Sequence, residues 1–80
     1  MDTTARLKAL IADLFKCDPS RLSDDTGPGQ VPGWDSLGHV TLIAAVQREF
    51  GKEVPLEDAI EVESIADLVR VLDRSEPATS

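Results

Sequence analysis

Residues 33–50 read GWDSLGHVTLIAAVQREF, and the fold of the chain turns on how this run is taken. Gly33 and Asp35 are turn formers and Trp34 is a large apolar anchor. From Ser36 to Phe50 no proline intervenes, and Gly51 follows where a helix C-terminus favours glycine. The pattern predicts a helix over 36–50. Turned at about 100° per residue, Leu42, Ile43, Val46 and Phe50 share one arc with His39, whereas Leu37, Val40 and Ala44 share another beside Thr41, Gln47 and Arg48. One apolar stripe is enough to hold a helix on a small bundle. The second is either buried on the far side of a central helix or left at the surface as a contact strip.

The flanks obey the same period. In TTARLKALIADLFK, residues 3–16, Leu7, Leu10, Ile11 and Leu14 fall at i, i+3, i+4 and i+7, which predicts an amphipathic helix capped by Thr3 or Thr4 and stopped by Asp18-Pro19. Residues 57–61 have room for one or two helical turns after Val54-Pro55-Leu56. A last helix is expected from Ser64, where Ser64 and Asp67 have the spacing of a capping box, with Ile65, Leu68, Val69 and Leu72 inward. Between the first two helices, CDPSRLSDDTGPGQVPGWD (17–35) is a long loop whose anchors on the core should be Leu22, Val31 and Trp34. No strand pattern and no repeat occurs. The expected architecture is all-α: a small four-helix bundle, three main helices plus one short one, with a long first loop. One domain is expected over 1–80, compact over about 3–73, with a frayed tail over 75–80.

Composition narrows the function. The 80 residues are 41% hydrophobic and 29% charged, with eight basic against fifteen acidic side chains and a net charge of −7. That balance argues against nucleic acid, whose phosphates need basic neighbours, and favours a basic partner surface. Residues 51–63 alone hold five acids and one base, while 36–50 hold only Arg48 and Glu49. No run is long enough to span a membrane, and MDTTARLKAL has no secretory apolar block. Cys17, the single cysteine, cannot form an internal disulfide and points to a reducing cytoplasm. The starting Met and short tail fit a free-standing protein, and a monomer is expected.

Ser36 and His39 are close enough on a helix to suggest a nucleophile and base, but no acid is placed to orient the imidazole. A structural histidine, packed on the core with one nitrogen bonded, is the simpler reading. Cys17 reads as a partly buried small apolar residue. Gly27-Pro28-Gly29 lacks the Gly-Lys-Ser/Thr of a phosphate loop, Asp24-Asp25 lacks the ligand spacing of a calcium loop, and His39 alone makes no metal site. Ser36 is left as a helix cap or as an attachment point. A covalent phosphodiester there would meet the unsatisfied N–H groups and positive dipole end of the helix, against the like charge of Asp35.

Asp35-Ser36-Leu37 opening an apolar helix after a long loop, with LKALIADLFKCDPSRLSDDT before it and FGKEVPLEDAIEVESIADLVRVL after it, resembles the acyl carrier proteins over nearly the whole chain. The resemblance implies that Ser36 receives 4′-phosphopantetheine from coenzyme A through a phosphopantetheinyl transferase, with Asp35 positioning that reaction. It implies no catalysis by the chain itself, which would deliver thioester-bound acyl groups to loading, condensing or tailoring enzymes. Leu37, Val40, Thr41 and Ala44 would form the docking strip, with the acids Glu57 and Asp58 beside it. Fatty-acid carriers usually present several acids along the second helix, where this chain has Gly38, Thr41, Gln47 and Arg48. The chain therefore looks more like a discrete carrier for polyketide or hybrid secondary-metabolite assembly in a bacterium. A fatty-acid carrier, a peptidyl or aminoacyl carrier, and a non-carrying helical interaction module are the alternatives.

Overall fold

A computed structural model describes residues 2–75. It contains α1 (Thr3–Phe15), a 3-10 turn (Pro19–Arg21), α2 (Ser36–Phe50), α3 (Leu56–Glu61) and α4 (Ile65–Arg74), with no strand among the described residues. The expected tail lies largely outside those residues.

The helix bodies follow the apolar period, and the ends show where other forces decide. The cap of α1 is Asp2, whose carboxylate accepts from the Ala5 N–H at 2.8 Å, and not Thr3 or Thr4, which lie inside the helix. The helix also stops before Asp18-Pro19. Lys16 adopts a left-handed conformation, φ 57°, and the Cys17 N–H donates to the Ala12 carbonyl. Asp18 instead caps the 3-10 turn by accepting from the Ser20 N–H and hydroxyl, bonds that hold its carboxyl below the ordinary carboxylate range. α2 has the expected limits, and Gly51 ends it at φ 63° with its N–H on the Gln47 carbonyl. Gln47 does not join the outer strip: its side-chain oxygen accepts from the Val54 N–H at 2.9 Å and steers the chain toward α3.

In α4, Ser64 caps the Asp67 N–H, but the Asp67 carboxylate reaches one residue further back than a capping box requires, to the Glu63 N–H. The buried side of α4 is Ile65, Leu68, Val71 and Leu72; Val69, expected inward, is half-buried. Val71 is buried in its place, and α4 makes its main helix contact with α1. At the other end Lys52 donates to the Leu72 carbonyl at 2.7 Å, which also accepts from the Ser75 N–H.

The long loop is a packed strap. Leu22, Val31 and Trp34 are buried as expected, Trp34 completely. Its Thr26 and Asp24 carbonyls accept from the Ile65 and Ala66 N–H groups, so loop backbone satisfies the start of α4. Gly27 permits this approach, since a Cβ there would lie 1.9 Å from the Glu63 carbonyl oxygen. Around these anchors Leu7, Ile11, Leu42, Val46, Ile65, Leu68 and Leu72 form the fully buried centre. The strap ends at the start of α2, so its packing fixes where Ser36 emerges.

Candidate functional site

Asp35 and not Ser36 is the cap of α2. Its backbone is extended and its Oδ1 accepts from the Gly38 N–H at 2.9 Å, while its carbonyl accepts from the His39 N–H at 2.7 Å. Asp35 thereby has a local structural reason to precede the serine. Ser36 is the first residue of the helix, exposed, and its hydroxyl has no hydrogen-bond partner among the described residues. Freed from capping, that hydroxyl is open to chemistry.

Two glycines fix the junction. Gly33 has φ 91°, a conformation that other L-residues rarely adopt. Gly38 lies in the first turn of α2, and a Cβ on it would fall 1.9 Å from the Gly33 carbonyl oxygen and 3.1 Å from the Phe15 ring. The loop thus folds directly onto the turn that presents Ser36.

His39 braces the same place. The Trp34 indole N–H donates to His39 Nδ1 at 3.0 Å, and His39 Nε2 lies 2.8 Å from the Ala59 carbonyl oxygen. A carbonyl only accepts and an indole N–H only donates, so the ring carries its proton on Nε2. Phe15, Trp34 and His39 stack in sequence, with ring centroids 5.9 and 6.3 Å apart and planes inclined by 15°. The expected structural histidine is present, with both nitrogens bonded rather than one. Neither is left to take a proton from Ser36, so the nucleophile–base pair does not form.

The outer stripe of α2 is exposed: Leu37 at 77% and Val40 at 62%, with Thr41 and Ala44 also exposed. Leu56 at 73% and Ile60 at 71% on α3 complete the set of large exposed apolar side chains among the described residues. Val40 and Ile60 line an open groove of about 550 Å³ together with Ser36, Asp35, His39 and Val62. The sequence reading missed Leu56 and Ile60. Their i, i+4 spacing was the available signal, obscured by the acids around them. Of those acids Glu57 is exposed, whereas Asp58 is half-buried and 3.6 Å from the Arg74 guanidinium, directed at α4. Cys17 is half-buried against the core. Among the described residues no helix is long and apolar enough to cross a membrane.

Comparison with known proteins covers most of the chain. The family described as "Phosphopantetheine attachment site" matches residues 5–72. An acyl carrier protein of Thermosynechococcus vestitus is 33% identical over 64 residues, covering 80% of this chain and 79% of that protein.

Proposed function

From a chain that belongs to the acyl carrier proteins, the family defined by covalent attachment of 4′-phosphopantetheine, we propose a carrier whose attachment point is Ser36. The observation that carries this reading is the division of labour at the start of α2. Asp35 takes the capping bond, and the Ser36 hydroxyl stays exposed and unbonded beside an open groove.

The residues present fit the group. The Ser36 and Leu37 N–H groups have no partner among the described residues and stand at the positive end of a 15-residue helix, a favourable setting for an anionic phosphodiester. The Asp35 carboxylate, accepting from Gly38, has part of its charge satisfied by the backbone, which limits the like-charge repulsion. When attached, the arm supplies a terminal thiol that holds acyl groups as thioesters. The chain's own residues position that arm. The Gly33–Gly38 contact and the His39 brace hold Ser36 at a fixed exit, and the exposed Leu37, Val40, Thr41 and Ala44 flank it as the surface that a phosphopantetheinyl transferase and acyl-handling enzymes would meet. Glu57 lies on the neighbouring α3 as an acidic rim for a basic partner surface. Nothing in this arrangement requires the chain to catalyse a reaction.

The pathway reading follows from charge placement. α2 presents Thr41, Ala44 and Arg48 outward, and the local acid sits on α3. A partner that reads acids along α2 would find none in its first turns, so a dedicated secondary-metabolite set, polyketide or hybrid, is the proposed setting, in the cytoplasm. The test is intact mass after incubation with coenzyme A and a permissive phosphopantetheinyl transferase. Wild type should gain one arm and Ser36→Ala none. A wild type left unmodified by several transferases, or an arm that persists in Ser36→Ala, overturns the assignment. Full elongation activity with a fatty-acid synthase set would overturn the pathway while leaving the carrier reading intact.

A further inference from the structure

We infer that this carrier displays its cargo in the open groove and does not admit it past His39 into the core, an arrangement suited to short or polar acyl groups. The inference rests on the carrier reading above and concerns what happens to the acyl group once the arm is in place.

The argument starts from His39. It occupies the inward arc of α2 next to Leu42, Ile43 and Val46, where the period calls for an apolar side chain. An aliphatic residue there would be held by dispersion alone and could rotate aside to admit an alkyl chain. His39 cannot do so without loss. Its Nε2–H is bonded to the Ala59 carbonyl of α3 and its Nδ1 accepts from Trp34, so the ring ties α2, α3 and the strap together. Trp34 is fully buried, and the Phe15 ring stacks on it as well. An alkyl chain entering from the Ser36 side would have to displace the His39 ring and leave the buried indole N–H without its acceptor. No buried side-chain nitrogen or oxygen among the described residues lacks a partner, so no unused side-chain acceptor waits there.

Outside the brace the space is of a different kind. The groove beside Ser36 is lined mainly by apolar surface, from Val40, Ile60 and Val62 with Asp35 and His39 at its side, but it opens to solvent. A hydroxylated or very short acyl group can rest there with its polar atoms wet. A long alkyl chain would gain only partial cover.

The test uses the apo chain loaded by a permissive transferase from acetyl-coenzyme A or octanoyl-coenzyme A, with intact mass confirming each load. Failure of any arm to attach removes the carrier reading itself, before cargo burial is measured. With both loads in place, melting temperatures and methyl NMR spectra of the two forms are compared. Acetyl and octanoyl forms should melt within about 2 °C of each other, below the about 4–8 °C that even modest burial produces in a domain this small. The Leu42, Val46 and Leu68 methyl signals should coincide. A higher melting point for the octanoyl form together with shifted core methyls would overturn the inference and leave Ser36 loading untouched. Two variants test the cause. His39→Ala removes the brace, and Trp34→Phe keeps an aromatic ring while freeing His39 Nδ1. Each variant that folds should acquire an octanoyl-dependent rise. A folded variant with no rise would show that the brace is not what excludes the chain, and the wild-type comparison decides the question of burial whether or not either variant folds.

Discussion

Gly38→Ala separates two physical effects of opposite sign. Helix propensity alone favours the substitution, since glycine in a helix interior is less stable than alanine by about 0.8–1.0 kcal/mol. The structure opposes it. The new Cβ would stand 1.9 Å from the Gly33 carbonyl oxygen, a backbone atom that cannot rotate away, and 3.1 Å from the Phe15 ring. Gly33 is itself held at φ 91° between the buried Val31 and Trp34, so the strap has little freedom to withdraw. Overpacking of this kind costs about 1–3 kcal/mol, and a contact this short against backbone belongs at the upper end. Subtracting the propensity gain leaves a net loss of about 1–2 kcal/mol, a fall in Tm of roughly 4–16 °C for a chain of this size. Thermal and urea melts of the two proteins provide the measurement. The displaced junction should also slow arm transfer to Ser36 at temperatures where the variant is fully folded. If Gly38→Ala melted higher than wild type, propensity would have won and the close approach of loop and helix would be refuted.

Two further substitutions address the same region. Asp35→Ala removes the cap on the Gly38 N–H and should cost about 0.5–2 kcal/mol in urea unfolding, whereas Asp35→Asn, which can still accept that bond, should recover most of it; equal loss in both would mean that charge, and not the cap, is what Asp35 contributes. Val40→Asp changes a side chain that is 62% exposed, so it should leave stability within about 0.5 kcal/mol while lowering acyl transfer by partner enzymes; a collapsed fold would show that the outer stripe of α2 supports the core.

How far the sequence revealed this fold depended on whether the deciding interactions were periodic. The body of α2 was legible to the residue, because its buried side repeats at helical spacing and Gly51 marks its end. Leu22, Val31 and Trp34 were legible as loop anchors, since isolated large apolar residues in a polar segment have few other places to go. Caps were not. Asp2 competes with two neighbouring threonines and Asp35 with Ser36, and each pair offers similar acceptors one residue apart. The inward side of α4 was ambiguous for another reason: Ile65, Leu68, Val69, Val71 and Leu72 leave several overlapping apolar arcs, and contact with α1 selects among them. At the site, the second apolar stripe of α2 could be read from its pattern, and Ser36 was proposed from the resemblance. The bond from His39 to the Ala59 carbonyl could not, because any residue supplies a carbonyl and this one lies 20 positions away.

The departures from local preference gather at one place. Gly33 has a positive φ, Gly38 sits inside a helix where alanine is preferred, and His39 puts a polar ring on an apolar arc. Each alone lowers the intrinsic stability of its segment, and all lie within three residues of Ser36. A domain of this size has little stability to spare, so such a cluster calls for a common cause. Geometry supplies one. The two glycines let the strap lie against the first turn of α2, and His39 bolts that turn to α3. Removing any one loosens the direction in which the Ser36 hydroxyl leaves the surface. On the proposed carrier reading the cluster serves two ends at once: it joins the strap to α2 and α3, and it holds the exposed Ser36 hydroxyl in one place for a modifying enzyme, while Leu42, Ile43 and Val46 anchor the helix from its other side.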